Sequence, residues 1–154
     1  MIKKRVKYIA ILSSIFFLSI YCNDEQIVEG NTMSNSETYK IKIIIGDSTL
    51  YATLVDNPTT KDLVSLLPLD LKLDDYAGTE KVSYLSKKLS TEDAPSGFDP
   101  AIGDITYYSP WGNLAIFYKD FGYASGLIHL GKIDGGIEVL NTSNSLNVTI
   151  ELIK

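Results

Sequence analysis

The chain predicts a mainly β fold, a small closed barrel capped by one or two helices, and three observations carry that expectation. Short apolar or alternating runs recur from Tyr39 to the end, separated by Gly, Pro, Asn and Asp turn chemistry. Only one stretch, after Asn57-Pro58, has a convincing helix start. The last run, Leu146, Val148, Ile150 and Leu152, alternates like the first, so a terminal strand is available to pair with the initial one and remove the open edge.

Taken in order, Tyr39 to Ile43 alternates and Ile44-Ile45 continues the run, a strand whose second half is buried on both faces. Gly46-Asp47-Ser48 supplies a turn, and Thr49 to Val55 is the hairpin partner. Asn57 offers a side-chain acceptor at the N-cap and Pro58 sits at the first helical position. The helix is expected over Thr59 to Leu66, with Leu63, Leu66 and Leu67 inward, and Pro68 stops it. Leu69, Leu71 and Leu73 then alternate with Asp70, Lys72 and Asp74 as a half-buried strand. Glu80 to Leu89 fits either strand or helix, and Thr91 to Ala101 reads as a long loop of the kind that often carries function. Ile105 to Tyr108 and Leu114 to Tyr118 are strands joined by Ser109-Pro110-Trp111-Gly112. The second has no alternation, so both its faces should be covered. Leu127 to Ile133 is a further strand and Gly135 to Leu140 a short helix or turn.

The first forty residues address location. Lys3, Lys4, Arg5 and Lys7 precede an uncharged run from Tyr8 to Tyr21, the pattern of a secretory signal. The run is short for a bilayer span, which takes about 20 apolar residues. It ends at Cys22, the single cysteine, where a lipoprotein signal would be cut and lipidated. Tyr21 is bulkier than the small residue usual before such a cysteine, so an ordinary secreted protein or an uncleaved anchor remains the alternative. Residues 1–21 are therefore expected to be a signal peptide, residues 22–37 a flexible polar tether, and residues 38–154 one domain. The expected location is the cell envelope, lipid-anchored or secreted after signal cleavage.

Four of the 14 basic residues lie in the signal, leaving 10 against 19 acidic residues, a net charge of −9. That balance argues against nucleic acid as a partner. With one histidine and one cysteine, a zinc or other transition-metal site is not expected. No cofactor is expected, the lone cysteine has no internal disulfide partner, and the domain is expected to be monomeric.

Several residues together resemble the bacterial cyclophilin-like domain family. They are Asn57-Pro58, Leu66-Leu67-Pro68, Asp75-Tyr76 and Glu80-Lys81. The strongest are Gly103-Asp104-Ile105 through Tyr107-Tyr108, Pro110-Trp111-Gly112-Asn113, Leu114 to Tyr118, and Gly126 to Gly131. Their order and spacing cover nearly all of residues 38–154, and the resemblance implies a small β-barrel capped by helices. In true cyclophilins, prolyl isomerases, an arginine on a barrel strand stabilises the twisted imide nitrogen, a fixed donor aimed at developing charge. Here the only arginine is Arg5, and lysine lacks the fork of fixed donors. Isomerase activity would rest on fold analogy alone.

The remaining chemistry is aromatic. Tyr84, Tyr107, Trp111, Phe117, Tyr118 and His129 are the candidate ligand-binding residues, and Cys22 the candidate lipid attachment. Strand neighbours point to opposite faces, so Tyr107 and Tyr108 cannot share one side. Trp111, in a Pro-Gly turn, should be half exposed, and Phe117 should be core. His129 is either a lone base at the barrel mouth or, preferably, a strand histidine pointing outward. Adjacent acids such as Asp74-Asp75 make a poor catalytic dyad, and no serine sits in a nucleophile-elbow context. The expected function is a tethered module holding a peptide or small molecule in an aromatic cleft. A prolyl isomerase with non-standard residues and a structural subunit of an envelope complex are the alternatives.

Overall fold

The computed structural model describes residues 38–154; the expected signal, Cys22 and the tether lie outside the described residues. Strands β1 (Tyr39–Ile45) and β2 (Ser48–Leu54) form the expected hairpin about Gly46-Asp47. Helix α1 (Pro58–Val64) follows, shorter at its C-terminal end than the sequence implied. The Asn57 side chain accepts from the Thr60 N–H at 2.7 Å, which satisfies one of the free donors of the first turn. Its amide also donates to the His129 carbonyl at 2.9 Å, tying the helix to the barrel wall.

Strand β3 (Leu69–Tyr76) runs three residues beyond the alternating leucines. The first half of the ambiguous segment is strand β4 (Glu80–Tyr84), paired along its whole length with Asn113 to Phe117, while Leu85 to Leu89 is neither strand nor helix. The long loop carries a two-residue strand β5 (Gly97–Phe98). Then come β6 (Asp104–Tyr108), β7 (Asn113–Phe117), β8 (Ala124–Ser125), β9 (Leu127–Ile133) and β10 (Leu146–Leu152). A single turn of 3-10 helix covers Ile137–Leu140.

Eight strands close into an antiparallel barrel in the order β1-β10-β3-β4-β7-β6-β9-β2, and β5 pairs with β8 as a separate ribbon. Ile43 lies opposite Ile150 and Lys42 opposite Glu151, so the last strand seals the first as expected. Lys42 and Glu151 form an ion pair of 2.8 Å across that seam.

The period of two in each strand sorts the side chains into two sets. Ile41, Ile43, Leu54, Leu73, Leu114 and Ile116 are buried in the main core, which Tyr107 and Leu63 also join. Outward residues of β7 and β9 make a second cluster of Ala115, Phe117 and Leu127, backed by Val82, Phe98, Tyr108 and Ala124. Every residue of β7 is thus buried, which is why its sequence does not alternate.

Lys81 is the exception among the inward residues, with a side chain wholly buried. Its ammonium bonds Asp75 and the Asn144 carbonyl, each at 3.0 Å, and also the Thr142 carbonyl. The Tyr118 hydroxyl donates to the same Asp75 oxygen at 2.6 Å. Among the described residues no helix is long and apolar enough to cross a membrane.

Candidate functional site

The second cluster is the floor of an open cleft of about 200 Å³ on the outside of the barrel. Its walls are built by alternation. Glu80 and Val82 face outward from β4, Asn113 and Phe117 from β7, and Tyr108, Tyr76 and Leu127 from β6, β3 and β9. Trp111 overhangs one end from the turn between β6 and β7. That turn closes with the Gly112 N–H donating to the Tyr108 carbonyl at 2.9 Å, and Gly112 takes a φ of +76° that disfavours a side chain. Phe121, from the segment after β7, completes the lining with Ala124.

Trp111 meets two neighbouring rings edge to face. Trp111 stands at 82° to Tyr76 with centroids 5.8 Å apart, and at 81° to Tyr108 with centroids 5.4 Å apart. Phe117 and Phe121 are 5.8 Å apart. These are favourable arrangements for aromatic pairs. Trp111 is 51 % exposed and Phe121 53 %, so large apolar area faces solvent at the cleft rim.

Two polar side chains break the apolar lining. Glu80 is only 9 % exposed, and its carboxyl has no hydrogen-bond or ion-pair partner among the described residues. Burial alone pushes its pKa up to about 7. Asn113 is buried; its amide nitrogen donates to the Leu114 carbonyl at 3.3 Å while its oxygen has no partner among the described residues. Buried polar atoms are nearly always bonded, so the Asn113 oxygen stands out, the one buried side-chain oxygen or nitrogen without a partner among the described residues.

Of the residues singled out in the sequence, Trp111 and Phe117 line the cleft. Tyr107 does not; it is buried inside the barrel, where its hydroxyl accepts from the Leu89 N–H at 3.0 Å. Tyr118 is also internal, and its bond to Asp75, together with burial, raises its pKa to about 12, burial being the larger cause. The same bond and the Lys81 ammonium hold the Asp75 carboxyl below its ordinary range. Tyr84 is 66 % exposed at the end of β4, outside the lining. His129 points outward from β9 as a stack on Phe98, with centroids 4.7 Å apart and Asp104 at 3.7 Å. It too lies outside the lining.

Sequence reasoning passed over Glu80, Asn113 and Tyr76. A signal for Glu80 existed: read as a strand, Glu80-Lys81-Val82-Ser83-Tyr84 places an acid on the same face as Val82 and Tyr84. Among the described residues no group of three or more His, Cys, Asp and Glu side chains could hold a metal ion.

No curated protein matches the chain. A hypothetical protein of Archaeoglobus fulgidus, known from a solution structure, matches in fold with a TM-score of 0.61 at 14 % identity, over 79 % of this chain and 99 % of that one. The model of the cyclophilin-like family matches residues 43–151, from the first barrel strand to the last. The chain belongs to the cyclophilin-like family.

Proposed function

We propose that this domain is a binding module that holds a peptide or a small molecule in the outer cleft, and that lipidation at Cys22 tethers it to the cell envelope. The observation that carries the binding reading is the ring cluster around Trp111, solvent-open and set in a concave site beside the Glu80 carboxyl. Tyrosine and tryptophan supply contact area together with a polar edge, the composition of recognition surfaces. At about 200 Å³ the cleft is smaller than the roughly 300–1,000 Å³ of drug-sized ligand pockets. It suits one side chain of a peptide or a compact head group.

Binding is favoured over prolyl isomerisation by what the cleft presents. Its side-chain nitrogens are the Trp111 indole and the Asn113 amide, and the latter is engaged with a backbone carbonyl. Lys81, the charged donor nearest in sequence, is turned into the barrel and bonded there. A proline tetrapeptide should therefore isomerise at the uncatalysed rate in the presence of the full chain.

The test of the binding reading is calorimetric titration of the full chain with short capped peptides and compact amines and alcohols. Trp111→Ala and Phe117→Ala should lose the affinity of any ligand found, while Tyr84→Ala, outside the lining, keeps it. Undiminished binding by Trp111→Ala would place the site elsewhere. Tethering is tested by labelled-lipid incorporation in cells: the label should vanish in Cys22→Ser, and absence of label in the parent chain would end that part of the reading.

A further inference from the structure

We propose that the cleft selects a primary alkylammonium group, the chemistry of a lysine side chain or a small amine, seated against Glu80 and ringed by Tyr76, Tyr108, Trp111, Phe117 and Phe121. This rests on the reading of the cleft as a ligand site and names the class of ligand.

The argument begins with what a carboxyl requires. An acid only 9 % exposed and without a donor is costly to ionise, and isolated buried charges are rare unless a partner neutralises them. The described residues supply no such partner. Lys81 is adjacent in sequence but on the opposite face of β4, committed to Asp75 and two carbonyls. A ligand cation would be that partner.

The walls around Glu80 favour a cation independently. Aromatic faces attract ammonium groups, more strongly where the site is desolvated. Glu80 is the sole carboxylate among the lining residues, and none of them is basic, so nothing in the lining opposes a positive charge. The apolar remainder, with Val82, Ala124 and Leu127, suits a methylene stem.

Ionisation of Glu80 also makes binding depend on pH. The groups that titrate around it are the phenols of Tyr76 on β3 and Tyr108 on β6. Asp74 is bonded to Ser145 and Lys72, and Asp75 to Lys81 and Tyr118. In the segment bearing Phe121, Lys119 lies over the Tyr118 ring and Asp120 accepts from the Ile102 N–H. None of these is a carboxylate or cation in the cleft lining.

The experiment titrates the full chain with n-butylammonium chloride and, separately, with n-butanol, a neutral molecule of similar shape, at constant ionic strength. Trp111 is the only tryptophan, so its emission reports the cleft, and calorimetry gives the affinity. Butylammonium should bind at least tenfold more tightly than butanol at pH 8, and the advantage should shrink toward pH 5.5. Glu80→Gln, which keeps the shape, should abolish both the advantage and its pH dependence. If butanol binds as well as butylammonium, or Glu80→Gln changes nothing, the ammonium inference fails while the cleft stands. If neither probe binds, both the inference and the cleft reading fall. Nα-acetyl-lysine N-methylamide separates the two sources. A gain over butylammonium assigns a peptide lysine, and equal affinity assigns a free amine.

Discussion

Glu80 and Lys81 are neighbours in sequence with opposite fates, and both follow from the strand period. Lys81 turns inward, where Asp75 and two carbonyls replace its water. Removing one member of a buried pair strands the other, so Lys81→Met should cost about 3 kcal/mol in urea unfolding, and a loss below about 1 kcal/mol would mean that water reaches the site. Glu80 turns outward into the ring cluster with no partner among the described residues. Its carboxyl has a pKa of about 7 in the folded chain against 4.5 for the ordinary group, so the folded state holds the extra proton between those values. Stability therefore falls as pH rises from 4.5 to 7 on account of this group and stays reduced above. Glu80→Gln should stabilise the protein by about 1–2 kcal/mol at pH 8 and leave it unchanged near pH 4. Equal stabilisation at both values would point to packing rather than charge. Neither role is written in the composition, since a Glu-Lys pair in a strand reads as solvated surface until the neighbours of each face are known.

The elements were largely legible because their signals are local. Asn57-Pro58 announces α1, and the alternation of β3 and β10 announces half-buried strands. The helix still ended early: after the Ser65 N–H bonds the Lys61 carbonyl at 3.0 Å, the Leu66 and Leu67 N–H groups switch to the tighter three-residue bonds, to the Leu63 and Val64 carbonyls. Glu80 to Leu89 was ambiguous for a physical reason, as its apolar residues fit both periods and only pairing with β7 selects the strand. Close approach between elements was invisible. A Cβ on Gly131 of β9 would lie 2.3 Å from the Thr53 carbonyl oxygen and 2.7 Å from the Leu54 Cα on β2. That glycine exists so that two strands can meet. Gly131→Ala should lower stability by about 1–3 kcal/mol through forced displacement of β2, read as a lower thermal midpoint, and a neutral result would mean that the seam yields freely.

At the scale of the whole molecule, closure is the controlling fact. Each barrel strand has two neighbours, so no edge of the barrel is left unpaired. Amides on the β1–β10 seam, such as those between Ile43 and Ile150, should exchange with solvent hydrogen as slowly as those of β6 and β7. Faster exchange confined to β10 would show that the barrel opens there before unfolding. The sequence by itself determined a mainly β domain, the family likeness, the helix start, the closing strand and the half-exposed Trp111, because turn chemistry and a period of two are properties of consecutive residues. Only the tertiary structure decided that Tyr108 rather than Tyr107 joins Trp111, that Tyr118 serves an internal acid, and that Tyr76, Glu80 and Asn113 share one cleft. Those placements depend on register between strands distant in the chain, and a shift of one residue would exchange every face.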